Sequence, residues 1–96
     1  MAYVVCAKWT AKDGHEDRLA QICEEMTEAS RVEPANRFYQ AHRSPDNPRL
    51  IFLYEQYEDE AGYEAHMASE HFTRLVKEEA ITNILESRER EFYETL

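Results

Sequence analysis

The segment Leu50–Tyr57, LIFLYEQY, constrains the fold more than any other part of this chain. Its aromatic and branched residues suit a strand, yet successive positions do not sort into an apolar and a polar set. Ile51, Leu53 and Tyr57 take one face, while Leu50, Phe52 and Tyr54 take the other. Residues 3–10, YVVCAKWT, repeat the pattern, with Val5, Ala7 and Trp9 opposite Val4 and Cys6. A sheet made of such strands needs cover on both sides. The chain has 96 residues, which is expected to make one domain, 1–96, with a single modest core. One face is expected to be covered by the chain's own helices. The other is expected to stack on the same face of a second copy, as a homodimer through the sheet.

The remaining segments supply those helices. Asp13, with Glu16 three residues on, predicts an N-cap and a helix beginning near Gly14. Leu19, Ile22, Cys23, Met26 and Ala29 form its apolar stripe, Glu24, Glu25 and Glu28 its wet side, and Pro34 stops it at Glu33. NRFYQAHRS and RLIFLYEQY flank PDNP, which reads as a hairpin. DEAGYEAHMA predicts a short helix. SEHFTRLVKEEAITNILES predicts a longer one, with Ser69 as N-cap and Phe72, Leu75, Val76 and Ala80 facing inward. A last strand carries Phe92, Tyr93 and Leu96. The order β-α-β-β-α-β is the ferredoxin-like α+β arrangement, an antiparallel sheet with helices on one face.

Charge removes whole classes of partner. With 11 Lys and Arg against 20 Asp and Glu, the net charge of -9 repels phosphate backbones and anionic lipid, so neither nucleic acid nor membrane is an expected partner. There is no apolar run of spanning length and no leader-like segment, and a cytoplasmic location is expected. Cys6 and Cys23 are expected to be reduced.

His66 and His71 in EAHMASEHF are the first candidates for chemistry. On an unbroken helix they would stand roughly 140° apart, so the spacing argues against a metal pair and no metal is expected. His71, beside the proposed cap, reads equally well as a residue satisfying backbone groups at a helix end. Glu55 is costly to bury without a partner.

Residues Val32 to Phe72 resemble the antibiotic biosynthesis monooxygenase family, which includes the quinol monooxygenases. The matching elements are Glu33-Pro34 after the first helix, the Tyr39 strand, His42-Arg43-Ser44 before the loop, the YEQY strand end and the AH..S.HF signature, with KDGHE leading into the first helix. Their order and spacing carry the resemblance, rather than any one motif. Two positions depart from it. Ala35-Asn36 stand where relatives often have Gly-Cys, and Tyr57 stands where many have Trp. The resemblance implies a dimeric α+β barrel of ferredoxin-like subunits. It also implies oxidation of hydroquinones, anthrones or polycyclic phenols by O2 without metal, flavin or haem, so no cofactor is expected. The haem-degrading branch of the superfamily has an Asn, a Trp and a His where Ala7 or Cys6, His66 and Val76 stand here, which disfavours that activity.

Within that frame, cofactor-free oxygenation needs a base that turns a phenol into an electron-rich anion, and imidazole suits the task. His66 is the expected base or substrate-orienting donor, His71 a second pocket histidine, and Glu55 an orienter of one imidazole. Trp9, Tyr39, Phe52, Met67 and Phe72 are the expected wall of a site for a small aromatic or quinol substrate and O2. Lys and Arg are sparse in these segments, which favours a neutral ligand. A cofactor-free isomerase or a ligand-binding module on the same scaffold is the alternative, since a fold does not fix its chemistry.

Overall fold

In the computed structural model, which describes residues 1–96, strand alternation divides the sheet into two unlike faces. Strand β1 (Tyr3–Ala11) lies between β3 (Leu50–Tyr57) and β4 (Leu85–Glu94), and β2 (Asn36–Arg43) pairs with the outer side of β3. The order β2-β3-β1-β4 is antiparallel throughout and ferredoxin-like. The register sets Val5 beside Glu55, Ala7 beside Leu53 and Arg90, and Trp9 beside Ile51 and Arg88. These inward positions on β1 and β3 are buried.

Three helices cover the inner face. Helix α1 (Glu16–Arg31) buries Leu19, Ile22, Cys23 and Met26, and its stripe ends on Ser30 while Ala29 is half-buried. It starts two residues later than the sequence predicts. Gly14 has φ +87°, a left-handed turn that a helix cannot include, and Asp13 makes no cap. The Glu16 carboxylate instead accepts the Gly14 N–H at 2.8 Å.

The second helical region is two pieces, α2 (Glu60–Met67) and α3 (Phe72–Ile84). Ser69 caps the second, as expected, accepting the Phe72 N–H at 3.2 Å. Helix α3 has wide π-type turns, and its last bond runs from Leu85 N–H to the Ala80 carbonyl five residues back. Phe72, Leu75, Val76, Ala80 and Ile84 face the core. The predicted helix extended to Ser87. It ends at Ile84 because Leu85 is already extended and pairs with Ala11, so β4 begins earlier than expected and Leu96 lies beyond its end. No helix is long and apolar enough to cross a membrane.

The outer face carries Val4, Cys6, Phe52 and Tyr54, with Phe38 46% and Tyr93 52% exposed. Phe52 was expected in the pocket wall. The alternation that sends Leu53 and Glu55 inward sends Phe52 outward, where its ring lies 5.6 Å from that of His42.

Candidate functional site

The site begins with Glu33, in the turn that ends α1. Its N–H bonds back to the Ser30 carbonyl at 3.0 Å. Arg31, the last residue of α1, donates to the Tyr39 carbonyl at 2.9 and 3.1 Å and ties the helix end to β2. The Glu58 N–H reaches the Ala35 carbonyl at 2.9 Å, anchoring the turn to the end of β3.

Helix α2 is pressed onto that turn. Asp59 caps it by accepting the Gly62 N–H at 2.9 Å. At Gly62 the approach is so close that a Cβ would lie 2.7 Å from the Ala35 Cβ. This contact fixes where His66 stands, one turn further along. The chain then breaks: Ser69 Oγ donates to the His66 carbonyl at 2.6 Å while capping α3. The angle of roughly 140° between His66 and His71 applies to one continuous helix, and here the break brings both rings to a common partner.

That partner is Glu33. His66 Nδ1 lies 2.9 and 3.1 Å from its two carboxylate oxygens, and His71 Nε2 lies 2.5 Å from one of them. His66 is 2% exposed and is enclosed by Tyr57 and Phe72 at 5.3 Å between ring centres, Tyr39 at 5.8 Å and Tyr63 at 6.1 Å. Glu55 stands on the far side of the same imidazole, 3.8 Å from Nε2 and beyond hydrogen-bonding distance. Its carboxylate accepts the Tyr57 hydroxyl at 2.6 Å. Burial raises the Glu55 pKa above the usual carboxylate range, against the opposing pull of His66 and the Tyr57 bond. Burial, reinforced by Glu55, also raises the Tyr39 and Tyr57 hydroxyls.

Glu33, His66 and His71 offer three ligand atoms within 4.8 Å of one another, a donor set able to hold a divalent ion. The same side chains also satisfy one another by hydrogen bonding, with two imidazole nitrogens on one carboxylate.

Trp9, Tyr39, Glu55, His66 and Phe72 line a small, partly enclosed cavity of about 10 Å³, room for a single water. Met67, expected in the wall, does not line the cavity; it is partly buried against the core with Sδ 3.6 Å from Arg90. The roomiest depression, about 470 Å³ between Met1, Tyr3, Asp59 and Phe92, contains no histidine. The small cavity is where the chemical groups converge.

Sequence reasoning missed Glu33, Tyr57, Tyr63, Arg88 and Arg90. The sequence marks Glu33 as the residue before the helix-stopping Pro34 and as part of the Glu33-Pro34 match, with no role for its carboxylate. The arginines had a signal, because in SREREFY the basic residues alternate with acidic ones, and on a strand that alternation puts both arginines on one face. Both line the cavity, which corrects the expectation that basic residues are sparse there.

The family model described as antibiotic biosynthesis monooxygenase matches residues 2–78. A Pseudomonas aeruginosa protein superposes with a TM-score of 0.92 at 25% identity, over 99% of this chain and 94% of that one. A Nitrosomonas europaea protein proposed to be an antibiotic biosynthesis monooxygenase gives 0.91 at 23% identity, over 99% and 90%. A crystal structure described as an antibiotic biosynthesis monooxygenase gives 0.87 at 25% identity, over 100% and 99%. No curated protein matches the sequence.

Proposed function

The chain belongs to the antibiotic biosynthesis monooxygenase family, and on that premise we propose that it is a cofactor-independent monooxygenase oxidising a small aromatic, hydroquinone or polycyclic phenol with O2. One observation carries the reading: a buried imidazole held at Nδ1 by a carboxylate, with its other nitrogen toward an aromatic-lined cavity. When Nδ1–H donates to Glu33, Nε2 keeps its lone pair and is the basic nitrogen. It takes the phenolic proton of the substrate, and Glu33 stabilises the imidazolium that forms. The substrate anion gives one electron to O2, and superoxide and the substrate radical combine. Collapse of that peroxide adduct breaks the O–O bond and the C–H bond at the same carbon, leaving one oxygen atom in the product's new carbonyl; the other leaves as water, taking one proton back from His66 and the second from that C–H bond. His71 meets the Glu33 carboxylate at Oε2, the oxygen nearest His66 Nδ1, and acts by positioning. Trp9, Tyr39 and Phe72 exclude water around the anion.

The outer sheet face supports a homodimer. Phe38, Phe52, Tyr54 and Tyr93 would be covered by the same face of a second copy, closing the two sheets into a barrel.

Metal-stripped protein offered hydroquinones, naphthols and anthrones should consume O2, and His66→Ala should not. No uptake across the panel by folded protein would favour the alternative, an isomerase or ligand-binding module using the same Glu33–His66 pair for proton transfer or orientation.

A further inference from the structure

The arginines of β4 are unusually placed for so acidic a chain. Twenty carboxylates are available; Arg43 and Arg49 each pair with one, and Arg18 pairs with two, Glu25 and Glu79. Arg88 and Arg90 form no ion pair. Arg90 donates to the Tyr63 hydroxyl at 3.0 Å. Arg88 lies 5.8 Å over the Trp9 ring, and its Nε is buried without a hydrogen-bond partner. Trp9, 3% exposed, has its indole Nε1 buried and equally unpartnered. Orphaned buried donors are costly and rare, and these two line one cavity beside the imidazole. Glu55, the carboxylate inside that cavity, is already engaged by Tyr57.

We propose that Arg88, Arg90 and the Trp9 indole N–H form a subsite for a carboxylate on the ligand, so that the substrate class is an aromatic acid bearing the phenol to be oxidised. The planar guanidinium fork matches the two oxygens of a carboxylate, and the indole N–H adds a third donor. Arg88 and Arg90 also border an open groove of about 370 Å³ formed with Ile81, Leu85, Glu86 and Ser87. The anionic end therefore meets the arginines at the junction of groove and cavity, and the ring lies in the open groove with its phenol edge turned toward the cavity mouth and His66, because the cavity itself has room for no more than a water. This inference rests on the oxygenase reading for the phenol, and on the arginines and the Trp9 indole N–H, independently of that reading, for the carboxylate.

Trp9 is the only tryptophan, so its fluorescence reports binding directly. The test titrates wild type with 1-hydroxy-2-naphthoate and with the neutral 1-hydroxy-2-naphthamide, calorimetry serving as a check. The acid should bind roughly tenfold tighter than the amide, and added salt should narrow the gap. Arg88→Gln should bring the acid down to the amide's affinity, while Arg88→Lys should keep part of the preference. Equal affinities in wild type, a preference surviving both Arg88→Gln and Arg90→Gln, or binding of neither probe would overturn the subsite; the last result would mean that the orphaned donors serve only a trapped water. The wild-type comparison decides even if a variant fails to fold. Acid bound without O2 uptake would remove the oxygenase reading and leave the subsite standing. Oxidation of neutral naphthols with no preference for acids would do the reverse.

Discussion

His66 Nδ1 lies 2.9 Å from a Glu33 carboxylate oxygen, a bond that joins the end of α1 to the last turn of α2 across the whole β2–β3 hairpin. If that bond orients the base, Glu33→Gln should lower kcat for O2 uptake by about 10–100-fold with little change in KM, the range seen when a second partner of a working histidine is removed. The pH profile of kcat should move with it. An unchanged kcat and profile in a folded Glu33→Gln protein would show that the bond is structural only.

The contact between Gly62 and Ala35 leaves no room for a methyl group. Gly62→Ala should destabilise the protein by about 1–3 kcal/mol through overpacking, read as a fall in thermal midpoint. Adding Ala35→Gly opens the space again and should recover most of the loss. Two independent, additive effects would argue that α2 is set by something other than this contact.

Glu55 links stability to pH in a defined direction. Because burial raises its folded pKa above the ordinary 4.5, the native state holds the proton more tightly than the unfolded chain. Stability should therefore fall as pH rises from about 4.5 through the folded value, then level off. Glu55→Gln still accepts the Tyr57 hydroxyl and lacks the titration, so the variant's stability relative to wild type should grow with pH over that window. Urea midpoints at several pH values check this, and parallel curves would refute it.

Removing metals should leave oxidation intact. Glu33, His66 and His71 are close enough to hold an ion, so dialysis against a chelator is a sharp control. Loss of O2 uptake on stripping, restored by one divalent metal, would replace the proposed base chemistry with metal chemistry at the same residues.

The outer face gives a prediction about assembly. Phe52 and Tyr54 lie near the middle of that face, on β3. Phe52→Asp with Tyr54→Asp should convert a dimer into a folded monomer, seen by sedimentation at micromolar concentration. A wild-type protein already monomeric there would remove the sheet-to-sheet dimer.

The fold could be read from the sequence where local patterns act alone. The strands β1 and β3 follow from their branched and aromatic residues, the hairpin from the turn residues of PDNP, and the stripes of α1 and α3 from periodicity. Helix limits were harder, since the left-handed Gly14 and the pairing of Leu85 with Ala11 are decided by the turn and the sheet. At the site, His66, Trp9, Tyr39, Phe72 and Glu55 could be named, yet their central partner could not. Glu33 is 33 residues from His66 in sequence, and although Glu33-Pro34 is part of the family resemblance, no local pattern ties its carboxylate to an imidazole. Phe52 illustrates the opposite error: its aromatic character suggested a wall, while its parity on the strand had already assigned it to the other face.

The unpaired arginines of β4 also bear on how fast a ligand arrives. A net charge of -9 surrounds an opening whose inner lining is positive, so a dissolved anion approaching from far away is repelled before it is attracted. Salt screens the distant repulsion more completely than the partly buried contact. Association of an aromatic acid should consequently speed up as ionic strength rises, while its dissociation also quickens. The acidic exterior thus acts as a filter on encounter, selecting against anions that lack an aromatic body able to hold them once they are inside.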